Sequence, residues 1–339
     1  MKENLLIIAE MSGNHNQSLD HALAIVDAAA EAGVNALKLQ TYTADTMTLD
    51  LSSEGFIITD PASLWAGEKL YDLYRKAHTP WEWHKVIFDR CRERGILPFS
   101  TPFDATAVDF LEKLDVELYK IAAFENGDIP LLKKVASTRK PVIVSLGMIG
   151  LEEIRETVAA LQENGCPDIT LLKCTSTYPA SPENTNLLTI PDLKKHFPQC
   201  RIGLSDHTLG IGVALGAIAL GAEVIEKHFT LRRADGGVDS AFSMEPAEMR
   251  QLVEEGKRVC AARGRVSYEL SESERKSLIF RRSVYVAEDV KAGEVFTERN
   301  LRCIRPGCGC HPRYYEKLLG KTALRDLRRG TPMKLEYAE

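Results

Sequence analysis

Apolar residues come in eight short runs along this chain, at 5–11, 36–41, 97–103, 118–124, 141–148, 169–176, 202–207 and 224–230. Between them the period changes. In 19–32 and 151–164 apolar positions recur at helical spacing. Ser18 stands where the first of these segments needs an N-cap, and Gly33 where it needs a stop. Strands buried on both faces read as near-continuous apolar runs, because neither side meets water. Eight strand-helix units within about 250 residues predict an α/β fold, a (β/α)8 TIM barrel. A doubly wound open sheet is the alternative. That fold often carries a glycine-rich phosphate turn after strand one, and the sequence MSGNHN from Met11 is not such a turn.

The second unit is interrupted. Residues 43–79 form a long polar insertion before a helix expected to begin near Pro80. All three tryptophans, Trp65, Trp81 and Trp83, fall in it or just after it, with Tyr71 and Tyr74. A long loop on the top face of a barrel is commonly a substrate lid. Most of these aromatics are expected to pin the loop to the barrel instead. Residues 244–262 read as the last barrel helix, which places the barrel domain at 1–265. A charged, serine-bearing linker follows at 266–280. From 281 to 339 short alternating runs are broken by glycine and proline, as in a small β-rich domain. About 60 residues is marginal for an independent core, so this module is expected to pack on the barrel or on a partner chain.

Composition narrows the classes. The chain has 339 residues, 44% of them hydrophobic, and a formal net charge of -5, which argues against an electrostatic nucleic-acid binder. The apolar run near the N-terminus is too short for a secretory signal, and no run approaches a membrane span. Eight cysteines are scattered through a chain too large to need staples; they read as reduced thiols of a cytoplasmic protein. Cys308 and Cys310 lie close together but lack the partner cluster of a zinc site.

Side chains at the C-terminal ends of barrel strands converge on one site. The segment 202–230 reads as strand, helix, strand, with His207 and His228 at the two strand ends. Neighbouring parallel strands would bring both imidazoles to one cleft, and two imidazoles beside carboxylates suit a divalent metal. Either histidine taken singly is more often a structural group. The other strand ends supply Glu10, Lys38, Gln40, Ser100, Thr101, Lys120, Glu125, Ser145, Tyr178, Ser205, Asp206, Glu226 and Lys227. Lysines inside apolar strands need partners, because an unpaired buried ammonium is costly. Lys38 and Lys120, with hydroxyls at Thr101, Ser145 and Ser205, suit a phosphate. An internal salt bridge to Glu10 or Glu125 is the alternative.

At these residues the sequence resembles a known family. The segments IIAEMSGNHN, ALKLQTYT, FSTPFD, YKIAAFE, GLSDHTLG and EKHFT are similar to the sialic acid synthases, which condense phosphoenolpyruvate with an N-acylated amino sugar. SVYVAEDVKAGEVFTERNLRCIRPG resembles the family's antifreeze-like SAF domain. TYTADTMTLD, the tryptophan-bearing insertion and DSAFSMEP most resemble the branch that makes pseudaminic acid. The resemblance implies that His207 and His228 hold a catalytic divalent ion (Mn2+, Mg2+ or Co2+). It implies a phosphoenolpyruvate pocket of Lys38, Thr101, Lys120, Ser145 and Ser205. Gln40, Glu125, Tyr178 and Asp239 match sugar-holding positions, and Glu10 matches a carboxylate near the reacting carbons. Arg305 matches an arginine delivered into a partner's barrel, which implies a domain-swapped homodimer. Ala123 stands where relatives commonly have a phosphate-binding serine, and Ser176 where sialate synthases have asparagine. N-acetylneuraminate or legionaminate synthesis, a non-catalytic carbohydrate binder and a Schiff-base aldolase are the rival readings.

Overall fold

The computed structural model describes residues 5–61 and 63–339. Eight parallel strands close into a barrel in chain order: β1 (Leu6–Glu10), β2 (Ala36–Thr41), β3 (Leu97–Pro102), β4 (Tyr119–Ile121), β5 (Val142–Leu146), β6 (Ile169–Cys174), β7 (Arg201–Ser205) and β8 (Val224–His228). Each falls on one of the eight apolar runs. The helix α1 (Leu19–Ala32) starts and stops where its flanking residues dictate. The Ser18 side chain accepts the His21 N–H at 3.2 Å, and Gly33 takes a φ of 85° that residues with a Cβ rarely adopt.

The barrel interior is plugged by one apolar side chain from most strands: Ile8, Ala36, Phe99, Leu118, Ile143, Leu172 and Val224. At that level β7 offers Gly203. A Cβ there would lie 2.3 Å from the Val224 carbonyl oxygen and 2.6 Å from Leu172 Cδ2, so its neighbours already fill the space. Side chains alternate along a strand, so the residue two positions further on faces the same way. Those residues are Glu10, Lys38, Thr101, Lys120, Ser145, Cys174, Ser205 and Glu226. A polar layer therefore lies directly on an apolar plug.

The insertion is more ordered than its polar composition predicts. It holds two short helices, α2 (Ala44–Met47) and α3 (Leu70–Ala77). On α3, Leu70, Leu73, Tyr74 and Ala77 are spaced to share one face. Eight residues is too short a window for that period to stand out in the sequence.

The chain divides into compact units at 1–264 and 265–339. In the second unit β9 (Ser283–Val286) pairs antiparallel with β10 (Leu301–Ile304). Its core gathers Val284, Val286, Phe296, Leu301, Leu318 and Met333. The segment expected to be a linker contains a helix at Glu272–Ser277, where Ser271 and Glu274 form a reciprocal cap. Among the described residues no helix is long and apolar enough to cross a membrane.

Candidate active site

Strand register decides which members of the polar layer touch. Glu10 lies beside Lys38 on β2 and beside His228 on β8, and Ser205 lies beside Glu226. Lys38 Nζ is 2.9 Å from Glu10 Oε1 and 3.1 Å from Glu226 Oε1. Lys120 Nζ is 3.2 Å from that same Glu226 oxygen, and Ser205 Oγ donates to it at 3.3 Å. Gln40 Nε2 donates to Glu10 Oε1 at 2.8 Å. Both lysines are thus paired internally. The partner of Lys120 is Glu226, however, and not Glu10 or Glu125, which the alternative reading named. By contrast Lys227 and Asp206, one residue out of phase, bond to each other at 2.8 Å outside the cavity lining.

The charge states follow from this pairing. Burial alone would raise both carboxyls of the layer, but the lysines more than offset it. Glu10 is held well below the usual carboxylate range by Lys38, His228 and Lys120, and Glu226 is lowered by Lys120 and Lys38. The two lysines diverge. Burial works against the Lys38 ammonium, yet Glu10 and Glu226 raise its pKa; burial lowers that of Lys120, with Lys38 adding to the effect against Glu226. Lys38 thus holds its proton more firmly than Lys120, which has one carboxylate in contact.

Above this layer opens a cavity of about 420 Å³. Glu10, Lys38, Gln40, Lys120, Glu125, Ser145, Tyr178, Ser205, His207, His228 and Asp239 all line it. Ser145 Oγ, Glu125 Oε2, Glu226 Oε2 and His228 Nδ1 are buried there without a hydrogen-bond partner. An unsatisfied buried polar group costs roughly 1–3 kcal/mol. Several around one cavity mark a place built to receive a polar ligand.

The two imidazoles face each other with ring centroids 5.4 Å apart. His207 Nδ1 lies 3.0 Å from the Thr175 carbonyl oxygen, which fixes the ring. His228 lies between two carboxylates, Nε2 at 3.3 Å from Glu10 and Nδ1 at 3.7 Å from Asp239. Burial lowers its pKa against the pull of Glu10 and Asp239, which favours the neutral ring that a metal ligand needs. Ser12 in turn hydrogen-bonds Asp239. Among the described residues no cluster of three or more histidine, cysteine or acidic side chains forms a ready metal cage. Two imidazoles with one unbonded nitrogen still fit an ion that draws its remaining ligands from water or substrate.

The model of the NeuB family matches residues 25–268, which cover the barrel from α1 onward. The chain belongs to the NeuB family. A SAF domain model matches residues 281–336, inside the second unit. A pseudaminic acid synthase from Campylobacter jejuni subsp. jejuni is 43% identical over 332 residues, covering 98% of this chain and 96% of that protein. One from Helicobacter pylori is 40% identical over 334 residues, with 98% and 97% covered. Among solved structures, N-acetylneuraminic acid synthetase from Leptospira borgpetersenii, in complex with citrate, aligns with a TM-score of 0.72 at 33% identity. It covers 81% of this chain and 90% of that one.

Two residues that the NeuB resemblance singled out lie outside the cavity lining. Thr101 follows Phe99 by two and is fully buried; its hydroxyl has no hydrogen-bond partner. Arg305 belongs to the second unit, where it is exposed and lines a recess with Arg281, Arg282 and His311. Glu226, conversely, touches both lysines, although its place at a strand end suggested no role for it. Cys174 was missed as well: it lines the cavity beside His207, and Ser176 Oγ lies 3.6 Å from its sulfur. The two departures from the family pattern, Ala123 and Ser176, flank Gly147. A Cβ on that glycine would meet Ser176 Oγ at 2.0 Å and Ala123 Cβ at 2.9 Å. Only one tryptophan reaches the cavity. Trp65 lines it and donates to the Val238 carbonyl at 3.1 Å, whereas Trp81 packs on Phe110 and Trp83 on His15.

Glu125 differs from the other carboxyls of this NeuB cavity. Burial pushes its pKa up to about 7, with Lys120 opposing and Asp128 adding. A raised carboxyl means that the folded chain keeps a proton that the unfolded chain has lost. Its contribution to stability is full below pH 4.5 and disappears as the pH rises to about 7. Glu125→Gln carries no such proton. Its melting temperature relative to wild type is therefore expected to climb between pH 4.5 and 7 and then level off, as read by calorimetry across that range. A constant difference would contradict the raised carboxyl.

Proposed function

We propose that this chain is a pseudaminic acid synthase. It condenses phosphoenolpyruvate with 2,4-diacetamido-2,4,6-trideoxy-L-altrose, giving pseudaminic acid and phosphate. The observation that carries the reading is the convergence of two ammonium groups and two imidazoles on one buried cavity, in a chain 43% identical to a pseudaminic acid synthase. Lys38 and Lys120 meet the phosphate, with Ser145 and Ser205 offering hydroxyls from neighbouring strands. Carbon 3 of the enol attacks the aldehyde carbon of the open-chain sugar, and the aldehyde oxygen becomes a hydroxyl with the proton given up by the water that adds to carbon 2. Water adds to carbon 2, and the tetrahedral intermediate expels phosphate by cleaving the carbon–oxygen bond. Glu10, held ionised beside both reaction centres, accepts the proton of that water. His207 and His228 would hold a divalent ion (Mn2+, Mg2+ or Co2+), which supplies Lewis-acid polarisation of the aldehyde carbonyl.

Phosphate release from phosphoenolpyruvate, assayed beside N-acetylmannosamine, the altrose compound and the legionaminic precursor, tests the assignment. Full rates with the altrose compound alone are expected; preference for another sugar would replace the assignment. No release with any of the three sugars would leave a binding protein, and release without sugar would point to another chemistry. The lowered pKa of buried Lys120 keeps one rival in view, an aldolase working through a lysine Schiff base. Borohydride trapping of substrate on the enzyme would support that rival.

We also propose that the reaction runs in the cytoplasm, in a domain-swapped homodimer where Arg305 serves the partner's barrel. All eight cysteines are free, as suits a reducing compartment. Arg305 is exposed in a basic recess, available to an anion. Mixing inactive Arg305→Ala with inactive His207→Ala protein, with subunit exchange, is expected to restore activity; a mixture that stays inactive speaks against the swap.

A further inference from the structure

The cavity has two chemically different sides. Its floor is the charged strand-end layer. The insertion between β2 and the next barrel helix adds Met47, Ile58, Leu70, Leu73, Tyr74 and Ala77 to the lining. Four of these occupy successive turns of one face of α3, at spacing i, i+3, i+4 and i+7. The charged residues of the same stretch pair elsewhere: Lys69 with Asp50, Arg75 with Asp72, and Lys76 with Glu68. Among the described residues, the insertion contributes no charged side chain to the cavity lining. The helix was thus assembled with its apolar face inward and its charges outward, over a site whose floor is ionic.

We propose that this wall, with α3 at its centre, determines specificity by receiving the methyl end of a 6-deoxy sugar. The inference rests on the reading of the chain as a nonulosonic acid synthase. The aldehyde end must lie at His207 and His228, where phosphoenolpyruvate also has to be reached. The carbons furthest from the aldehyde therefore extend away from the ionic floor. A hydroxymethyl group against leucine, isoleucine and methionine would lose water without gaining a partner, whereas a methyl group loses nothing polar. Hydrophobic pockets discriminate such small changes by roughly 10–200-fold.

The test compares kcat/KM for 2,4-diacetamido-2,4,6-trideoxy-L-altrose with that of its 6-hydroxy analogue. Wild type is expected to favour the methyl sugar by at least about tenfold. Leu70→Gln and Met47→Gln, both at half-buried positions, are each expected to shrink that ratio severalfold by offering an amide to the hydroxyl. A wild-type ratio near one overturns the proposal, as does a ratio unchanged in both variants. If wild type uses N-acetylmannosamine and neither diacetamido sugar, the parent assignment fails separately. The wall is then read on N-acetylmannosamine against its 6-deoxy analogue, where preference for the deoxy sugar upholds the proposal and indifference overturns it.

Discussion

Exchanging Glu226 for glutamine is expected to lower kcat/KM for phosphoenolpyruvate by roughly 10²-fold or more, equivalent to about 2.7 kcal/mol, and to destabilise the barrel. One oxygen of Glu226 lies within 3.3 Å of Lys38, Lys120 and Ser205. It sets the spacing of the two ammonium groups that would meet the phosphate. Lys38 keeps Glu10 when Glu226 is neutralised, but Lys120 is left with a buried charge and no carboxylate in contact. Removing one partner of a buried ion pair typically costs about 3–5 kcal/mol, because the survivor is uncompensated. The double variant Glu226→Gln/Lys120→Met is therefore expected to regain stability over the single one without regaining turnover. Denaturation curves and phosphoenolpyruvate saturation kinetics read the two effects separately. A single variant that is both stable and active would show that Glu226 neither holds Lys120 nor shapes the phosphate site.

Alanine at His207 or at His228 is expected to reduce turnover by about 10³-fold or more, since Lewis-acid polarisation supplies several kcal/mol of transition-state stabilisation. The fold should survive. Both rings sit at the rim of the polar layer and not in the apolar plug, so neither removal opens the core. The circular dichroism spectrum is expected to be unchanged, and equilibrium dialysis to show loss of bound divalent ion. His228→Ala should be the more disruptive of the two, because it also releases Glu10 and Asp239. A double alanine variant with full activity would end the metal assignment.

Much of this was legible in the sequence, for identifiable reasons. Parallel strands buried on both faces leave uninterrupted apolar runs, so all eight were visible; the cap at Ser18 and the stop at Gly33 marked α1 to the residue. Lys38, Lys120, His207 and His228 stood out because polar groups ending apolar strands need a reason to be there. Glu226 did not, since it sits between Ile225 and Lys227, and nothing in the order of residues says which faces inward. That depends on phase relative to the plug, which Gly203 and Val224 set in space. The apolar face of α3 was hidden for another reason: eight residues with charges on the opposite face average to a polar stretch. Arg305 could be found through family resemblance alone, because its place in the chain says nothing about what it meets.

The most direct measurement is the stoichiometry of a single incubation. Phosphoenolpyruvate and the diacetamido altrose compound are mixed with the enzyme and a divalent ion, and phosphate and the nine-carbon keto acid are quantified together. One phosphate is expected for each keto acid formed, with neither appearing when either substrate is withheld. Phosphate released without sugar, or sugar consumed without phosphate, would contradict the claim that one cavity holds both partners and joins them.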